Sequence, residues 1–208
     1  MRKPFAALFL FLLPLVASAG QVRIVSDIPG AAGGPTDTEV LQYDDGTPQW
    51  LTWGGTYRGT WFNPDDFLPD NNGFSLQMME WWFYQSSGTD PWDTDEFYAE
   101  IWSGDQNGPQ VLLDSQLITA IHGMPVYTYY DPPLAIEGQF WGLVNTGLSA
   151  GGWPSVLADG TPGEHSFYSD DFVVWESWGD MGDYFIRAHG AYTMSLEETT
   201  WGELKALF

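Results

Sequence analysis

Three glutamates sit inside aromatic runs: Glu80 in Met79–Glu80–Trp81, Glu100 in Ala99–Glu100–Ile101 and Glu176 in Trp175–Glu176–Ser177. Cleaving a glycosidic bond takes two carboxyl groups across a sugar cleft, one kept protonated by apolar neighbours. Neighbouring strands could bring two of these three to one face. They are therefore the candidate catalytic residues if the chain is a glycoside hydrolase or lyase. The competing reading turns each glutamate to solvent, or pairs it with Arg58 or Arg187. Catalysis is the alternative expectation here, and binding without catalysis the leading one.

Binding chemistry is suggested by the twelve tryptophans, more than one small core readily encloses. An indole face stacks on a flat sugar ring while nearby Asp, Asn and Gln side chains take its hydroxyls. Trp92 and Trp153 fit best, because both stand in turn segments beside polar residues: Asp90, Asp93 and Asp95 for the first, Ser149, Ser155 and Asp159 for the second. Trp61, just ahead of Asn63, Asp65 and Asp66, is the third candidate, and Asp93 the polar partner. The competing reading makes these indoles core or lids over its open ends.

The run Asp90–Pro91–Trp92–Asp93–Thr94–Asp95–Glu96 sets Asp90, Asp93 and Asp95 on a short segment, the kind of hard-oxygen set that suits calcium. It lacks the EF-hand spacing. A structural calcium is thus the one metal the sequence accommodates, no cofactor is required, and Asx turns are the simpler use of these aspartates. Zinc is disfavoured, since His122, His165 and His189 are far apart in sequence and there is no cysteine. Gly147–Leu148–Ser149–Ala150–Gly151 satisfies G-x-S-x-G, but a nucleophile elbow needs a helix after the serine, and Gly152–Trp153–Pro154 follows.

Charge removes other classes. Six Lys and Arg against 28 Asp and Glu leave a formal net charge of −22, which opposes a phosphate backbone or an anionic bilayer. Met1–Arg2–Lys3, the apolar stretch 5–16 and Ala17–Ser18–Ala19 have the layout of a secretory signal peptide cleaved after Ala19. The stretch is shorter than the about 20 residues that span a bilayer. The expectation is a secreted chain, extracellular, on the cell surface or periplasmic, with no membrane span after cleavage.

The elements that must position these groups are strands. Clusters of Gly, Pro, Asp and Asn punctuate short runs rich in aromatic and β-branched residues. Over 96–102, Phe97, Ala99 and Ile101 share one face and Tyr98, Glu100 and Trp102 the other; over 139–145, Phe140, Gly142 and Val144 alternate against Gln139, Trp141 and Leu143. The stretch 74–85 is apolar on both faces and predicts a central strand, and Asp105–Gln106–Asn107–Gly108–Pro109 predicts a hairpin turn. Without room for crossover helices, the expected fold is all-β, an antiparallel β-sandwich of jelly-roll type, with an immunoglobulin-like sandwich as the alternative. The expected divisions are a signal peptide over 1–19, an arm or linker over 20–38, the sandwich over 39–194 and a tail over 195–208. Thr200–Trp201–Gly202–Glu203 reads as a capping box, predicting a short C-terminal helix.

In their order, Gln42–Tyr43–Asp44–Asp45–Gly46, Gly104–Asp105–Gln106–Asn107–Gly108–Pro109, Gln139–Phe140–Trp141–Gly142, His165–Ser166–Phe167–Tyr168 and Phe185–Ile186–Arg187–Ala188 resemble β-sandwich modules of large secreted bacterial surface proteins. The segment Trp201–Gly202–Glu203–Leu204–Lys205–Ala206–Leu207–Phe208 is similar to a W-G-x-[IL]-K tail of exported chains. The resemblance spans roughly residues 40–208 and implies a non-catalytic surface or binding role, with no catalytic residues to carry over. The expected partner is a glycan or another surface protein. A structural subunit of an extracellular assembly is a further alternative.

Overall fold

The computed structural model describes residues 21–24, 39–69, 73–86 and 91–192. The signal peptide, most of the arm, Asp90 and the C-terminal helix lie outside the described residues. In chain order the strands are β1 (Gln21–Ile24), β2 (Glu39–Leu41), β3 (Trp50–Trp53), β4 (Tyr57–Phe62), β5 (Phe74–Trp82), β6 (Glu96–Asp105), β7 (Gly108–Thr119), β8 (Pro125–Ile136), β9 (Phe140–Asn145), β10 (Val156–Ala158), β11 (Ser166–Ser169), β12 (Glu176–Ser177) and β13 (Ile186–Tyr192). No helix among the described residues is long and apolar enough to cross a membrane.

Two antiparallel sheets form a β-sandwich: six strands in the order β12-β11-β4-β9-β6-β7, and four in the order β2-β13-β5-β8. Alternation decides which side chains lie between them. From β6 come Phe97, Ala99 and Ile101, from β9 Phe140 and Val144, from β5 Phe74, Leu76, Met79 and Trp81, and from β13 Ile186 and Ala188, all within one core cluster. The faces of β6 and β9 are those that the period of two assigns. The hairpin also lies where its turn residues put it: Asp105 pairs with Gly108, and the Asp105 Oδ1 accepts the Asn107 N–H at 2.8 Å.

The strand that reads apolar on both faces is central, paired to β13 on one side and β8 on the other. Trp81 points into the core, and its Nε1 donates to the Thr128 hydroxyl at 3.2 Å. Trp82 points the other way, into a second cluster with Leu51, Leu157 and Phe185. That cluster forms where the small sheet β1-β3-β10 meets the ends of β5 and β13. Farther along the same outer face, Glu80 and Arg187 are cross-strand partners.

There the chain leaving β2 brings in Asp44, which accepts two hydrogen bonds from the Arg187 guanidinium at 2.6 and 2.9 Å. Arg187 also donates to Glu80 at 3.0 Å, and His189 Nε2 lies 3.0 Å from the other Glu80 oxygen. All four residues are buried. Burial presses the Glu80 carboxyl upward, but hydrogen bonds from His189 and Trp82 and the Arg187 charge outweigh it and hold it below the usual glutamate value. Of the two ion-pair partners foreseen for Glu80, the structure selects Arg187.

The edge strand β7 carries two bulges. Ile101 and Trp102 face Asp114 and Leu112, which leaves Leu113 over; Ser103 and Gly104 face Val111 and Pro109, which leaves Gln110 over. Asp114, opposite Ile101, is the one charged residue of this strand.

Two other buried aspartates set a pH dependence. Asp159 accepts the N–H groups of Asp45 and Asp183, and Asp183 accepts the Ser166 hydroxyl. Burial pushes both carboxyls up despite these bonds. A folded-state value above the unfolded one favours folding most below the unfolded value, and this contribution is lost as pH rises through the folded value. Glu80, held low, works in the opposite sense: its contribution is present above the unfolded value and lost as pH falls through the folded one. Thermal melts at fixed ionic strength are expected to rise as pH falls from neutrality toward the usual aspartate value, helped by relief of charge repulsion, and to fall once Glu80 protonates below the usual glutamate value of about 4.3. Asp183→Asn is expected to flatten the first limb; a Tm that falls steadily as pH falls from neutrality would contradict the assignment.

Candidate functional site

The outer face of the six-stranded sheet carries an aromatic surface. Cross-strand pairing sets it out in rows: Tyr57, Asn145 and Tyr98; then Gly59, Leu143 and Glu100; then Trp61, Trp141 and Trp102. Phe167 of β11 packs with Trp61, Trp141 and Leu143 in a cluster that Trp102, Phe172 and Trp175 adjoin. Gly59 makes this possible, because a Cβ there would stand 2.1 Å from the Leu143 Cδ2.

The loop 170–175 folds over this face. The Asp171 Oδ1 accepts the N–H groups of Val173 and Val174 at 2.8 and 3.0 Å, and the Ser169 hydroxyl accepts the Phe172 N–H at 3.0 Å. These bonds hold Phe172 in the left-handed region, φ 64°, the one non-glycine residue so placed among those described. That conformation is costly for a bulky side chain and is retained where the surroundings impose it. It sets the phenyl ring edge-on to Tyr57, centroids 4.9 Å apart, and 4.6 Å from the Trp102 ring. Trp175 lies 5.2 Å from Trp141 and closes against Gly108 of the hairpin, where a Cβ would stand 3.1 Å from its Cδ1.

Two openings flank Phe172. One, of about 270 Å³, is lined by Tyr57, Glu100, Trp102, Asn145 and Phe172. In it the Glu100 Oε1 accepts the Asn145 amide at 2.7 Å and the Oε2 accepts the Trp102 Nε1 at 2.8 Å. These two bonds fix the carboxylate at the foot of three aromatic rings. The other, of about 230 Å³, runs from Phe172, Val173 and Trp175 to the hairpin residues Asp105, Asn107 and Gln110. Neither lining contains Lys, Arg or His.

The three glutamates of the catalytic expectation do not meet. Glu80 is on the outer face of the four-stranded sheet and Glu100 on that of the six-stranded sheet, with the whole sandwich between. Glu176 bonds the Tyr168 hydroxyl at 2.7 Å on the opposite face of the sheet from Glu100. It also stands four strand spacings away, on the order of 19 Å. Asp105 borders the second opening, but five residues along β6 amount to about 16 Å. The carboxyl pairs of glycosidases stand about 5–9.5 Å apart.

The tryptophans singled out by their turn context are packed rather than presented. Trp61 and Trp153 are each 8% exposed. Trp61 stacks on His165 at 4.9 Å, and Trp153 on Trp53 at 5.4 Å. Trp92 is half-buried against the main core and donates to the Ser155 hydroxyl at 3.2 Å. Turn context located these residues in sequence, but neighbours distant along the chain took up their rings. Trp102, Tyr57, Phe172 and Trp175 were missed. The available signal was the shared face of Tyr98, Glu100 and Trp102, together with an apolar Phe-Val-Val-Trp run inside a turn.

Asp93 accepts the Ser149 hydroxyl at 2.6 Å and the Ala150 N–H at 2.8 Å. Against a slight loss of solvent, these bonds hold its carboxyl below the usual aspartate value. Ser149 in turn accepts the N–H groups of Gly151 and Trp153, so this serine pins a turn. Asp95 is exposed just before β6, and Asp90 lies outside the described residues. No group of three metal-ligating side chains occurs among the described residues. The chain matches no protein-family model, no curated protein and no solved structure.

Proposed function

We propose that this chain is a secreted, non-catalytic glycan-binding module, with its site in the aromatic cleft over the outer face of the six-stranded sheet. The observation that carries the reading is the Glu100 carboxylate, fixed by Asn145 and Trp102 beneath the rings of Tyr57, Trp102 and Phe172. Aromatic faces take the C–H surface of a sugar, and a positioned carboxylate and amide accept and donate to its hydroxyls. The separation of the carboxylates supports binding over hydrolysis. The signal-peptide layout of residues 1–19 and the resemblance to bacterial surface modules support a role outside the cell. Neither the glycan reading nor the site requires calcium.

The test is affinity electrophoresis of the purified chain in gels containing xylan, glucomannan, β-glucan or soluble chitin derivatives. Retardation is expected in at least one. Trp102→Ala is expected to weaken it by roughly thirtyfold, the effect of removing a central aromatic anchor worth about 2 kcal/mol. Trp153→Ala, if it folds, is expected to leave it unchanged. Equal retardation of the wild type and Trp102→Ala would remove the site assignment.

A further inference from the structure

We propose that the cleft takes an uncharged polysaccharide along its length, several sugar residues at once, rather than a single terminal sugar. This rests on the glycan-binding reading and specifies its ligand. Each opening beside Phe172, at about 270 and 230 Å³, is smaller than the about 300 Å³ at which small-ligand sites begin. They share the Phe172 ring, so a ligand filling both passes over it. The two ends are equipped alike: an aromatic wall and hydrogen-bonding groups, Glu100 and Asn145 at one, Asp105, Asn107 and Gln110 at the other. Both are open at the surface, with Val173 79% exposed at the rim, so neither end stops a chain.

The charge of the ligand follows from the same linings. Two carboxylates and no cationic side chain face the cleft, on a chain of formal net charge −22. A uronate, sulfate or sialic acid would enter against that field with no partner to offset its desolvation. Neutral hydroxyls suit carboxylate and amide acceptors.

Calorimetric titration with cello-, xylo- and manno-oligosaccharides from the disaccharide to the hexasaccharide separates the possibilities, with polygalacturonate as the anionic comparison. The series that binds is expected to gain about tenfold or more in affinity from disaccharide to hexasaccharide. Gln110→Ala, an exposed side chain at the far opening, is expected to remove most of that gain. A hexasaccharide no tighter than the disaccharide, or polygalacturonate binding as well as the neutral series, would overturn this inference and leave the glycan-binding site standing. A blank throughout the neutral series, with no retardation in any of the polysaccharide gels, would overturn both.

Discussion

Arg187→Met is expected to cost about 3–5 kcal/mol, enough to unfold much of the chain if its total stability is in the usual range of about 5–15 kcal/mol. The magnitude follows from what remains behind. Asp44 and Glu80 would stay buried on the outer face of the four-stranded sheet with their shared cation gone. The attraction of a buried pair barely exceeds the cost of dehydrating it, so the damage comes from the orphaned charges more than from the lost bond. Hence the triple change Arg187→Met, Asp44→Asn and Glu80→Gln is expected to recover most of the loss. Arg187→Lys is expected to fall between, since one ammonium cannot grip Asp44 with two parallel bonds and still reach Glu80. Denaturant unfolding at pH 7 checks the series; a single Arg187→Met variant as stable as the wild type would show that the network holds nothing.

Trp81→Ala and Trp82→Ala are each expected to cost about 3–5 kcal/mol, although the two residues are adjacent on one strand and point to opposite faces. In a simple sandwich one of them would face water and its truncation would matter little. Here Trp81 is 0% and Trp82 8% exposed, because the second apolar cluster encloses the outer ring. Trp81 also leaves the Thr128 hydroxyl with one partner fewer. Trp82→Ala removes in addition the indole N–H that Glu80 accepts. Paired denaturation curves decide the matter: a loss confined to Trp81→Ala would mean that the outer cluster contributes nothing to folding.

The sandwich could be read from the sequence because a half-buried strand writes its burial into every second residue. Phe97, Ala99 and Ile101 are the clearest case, each wholly enclosed as their spacing requires. The central position of β5 was legible for the complementary reason, since a strand covered on both sides shows no alternation. The site was harder. Its residues come from β4, β6, β9 and a loop beyond β11, and strand order, which brings Tyr57, Asn145 and Glu100 together, leaves no mark in any one segment. Glu100, singled out by its aromatic context as a catalytic candidate, lines the cleft without either of the other two glutamates. Trp153 was picked by its turn, and the stacking of Trp53 upon it could not be foreseen. Phe172 owes its place to a backbone conformation that a phenylalanine in a sequence does not announce.

The extra residues Gln110 and Leu113 give β7 a further consequence. A sheet grows by copying its outermost strand, and a copy must keep step with the template residue for residue. Twice along β7 the template loses that step, and a straight incoming strand would show the wrong face between the two bulges and stand two residues out of register beyond them. Its exposed leucines can therefore face a crowded medium without seeding fibrils. Many such chains can crowd together and remain separate objects.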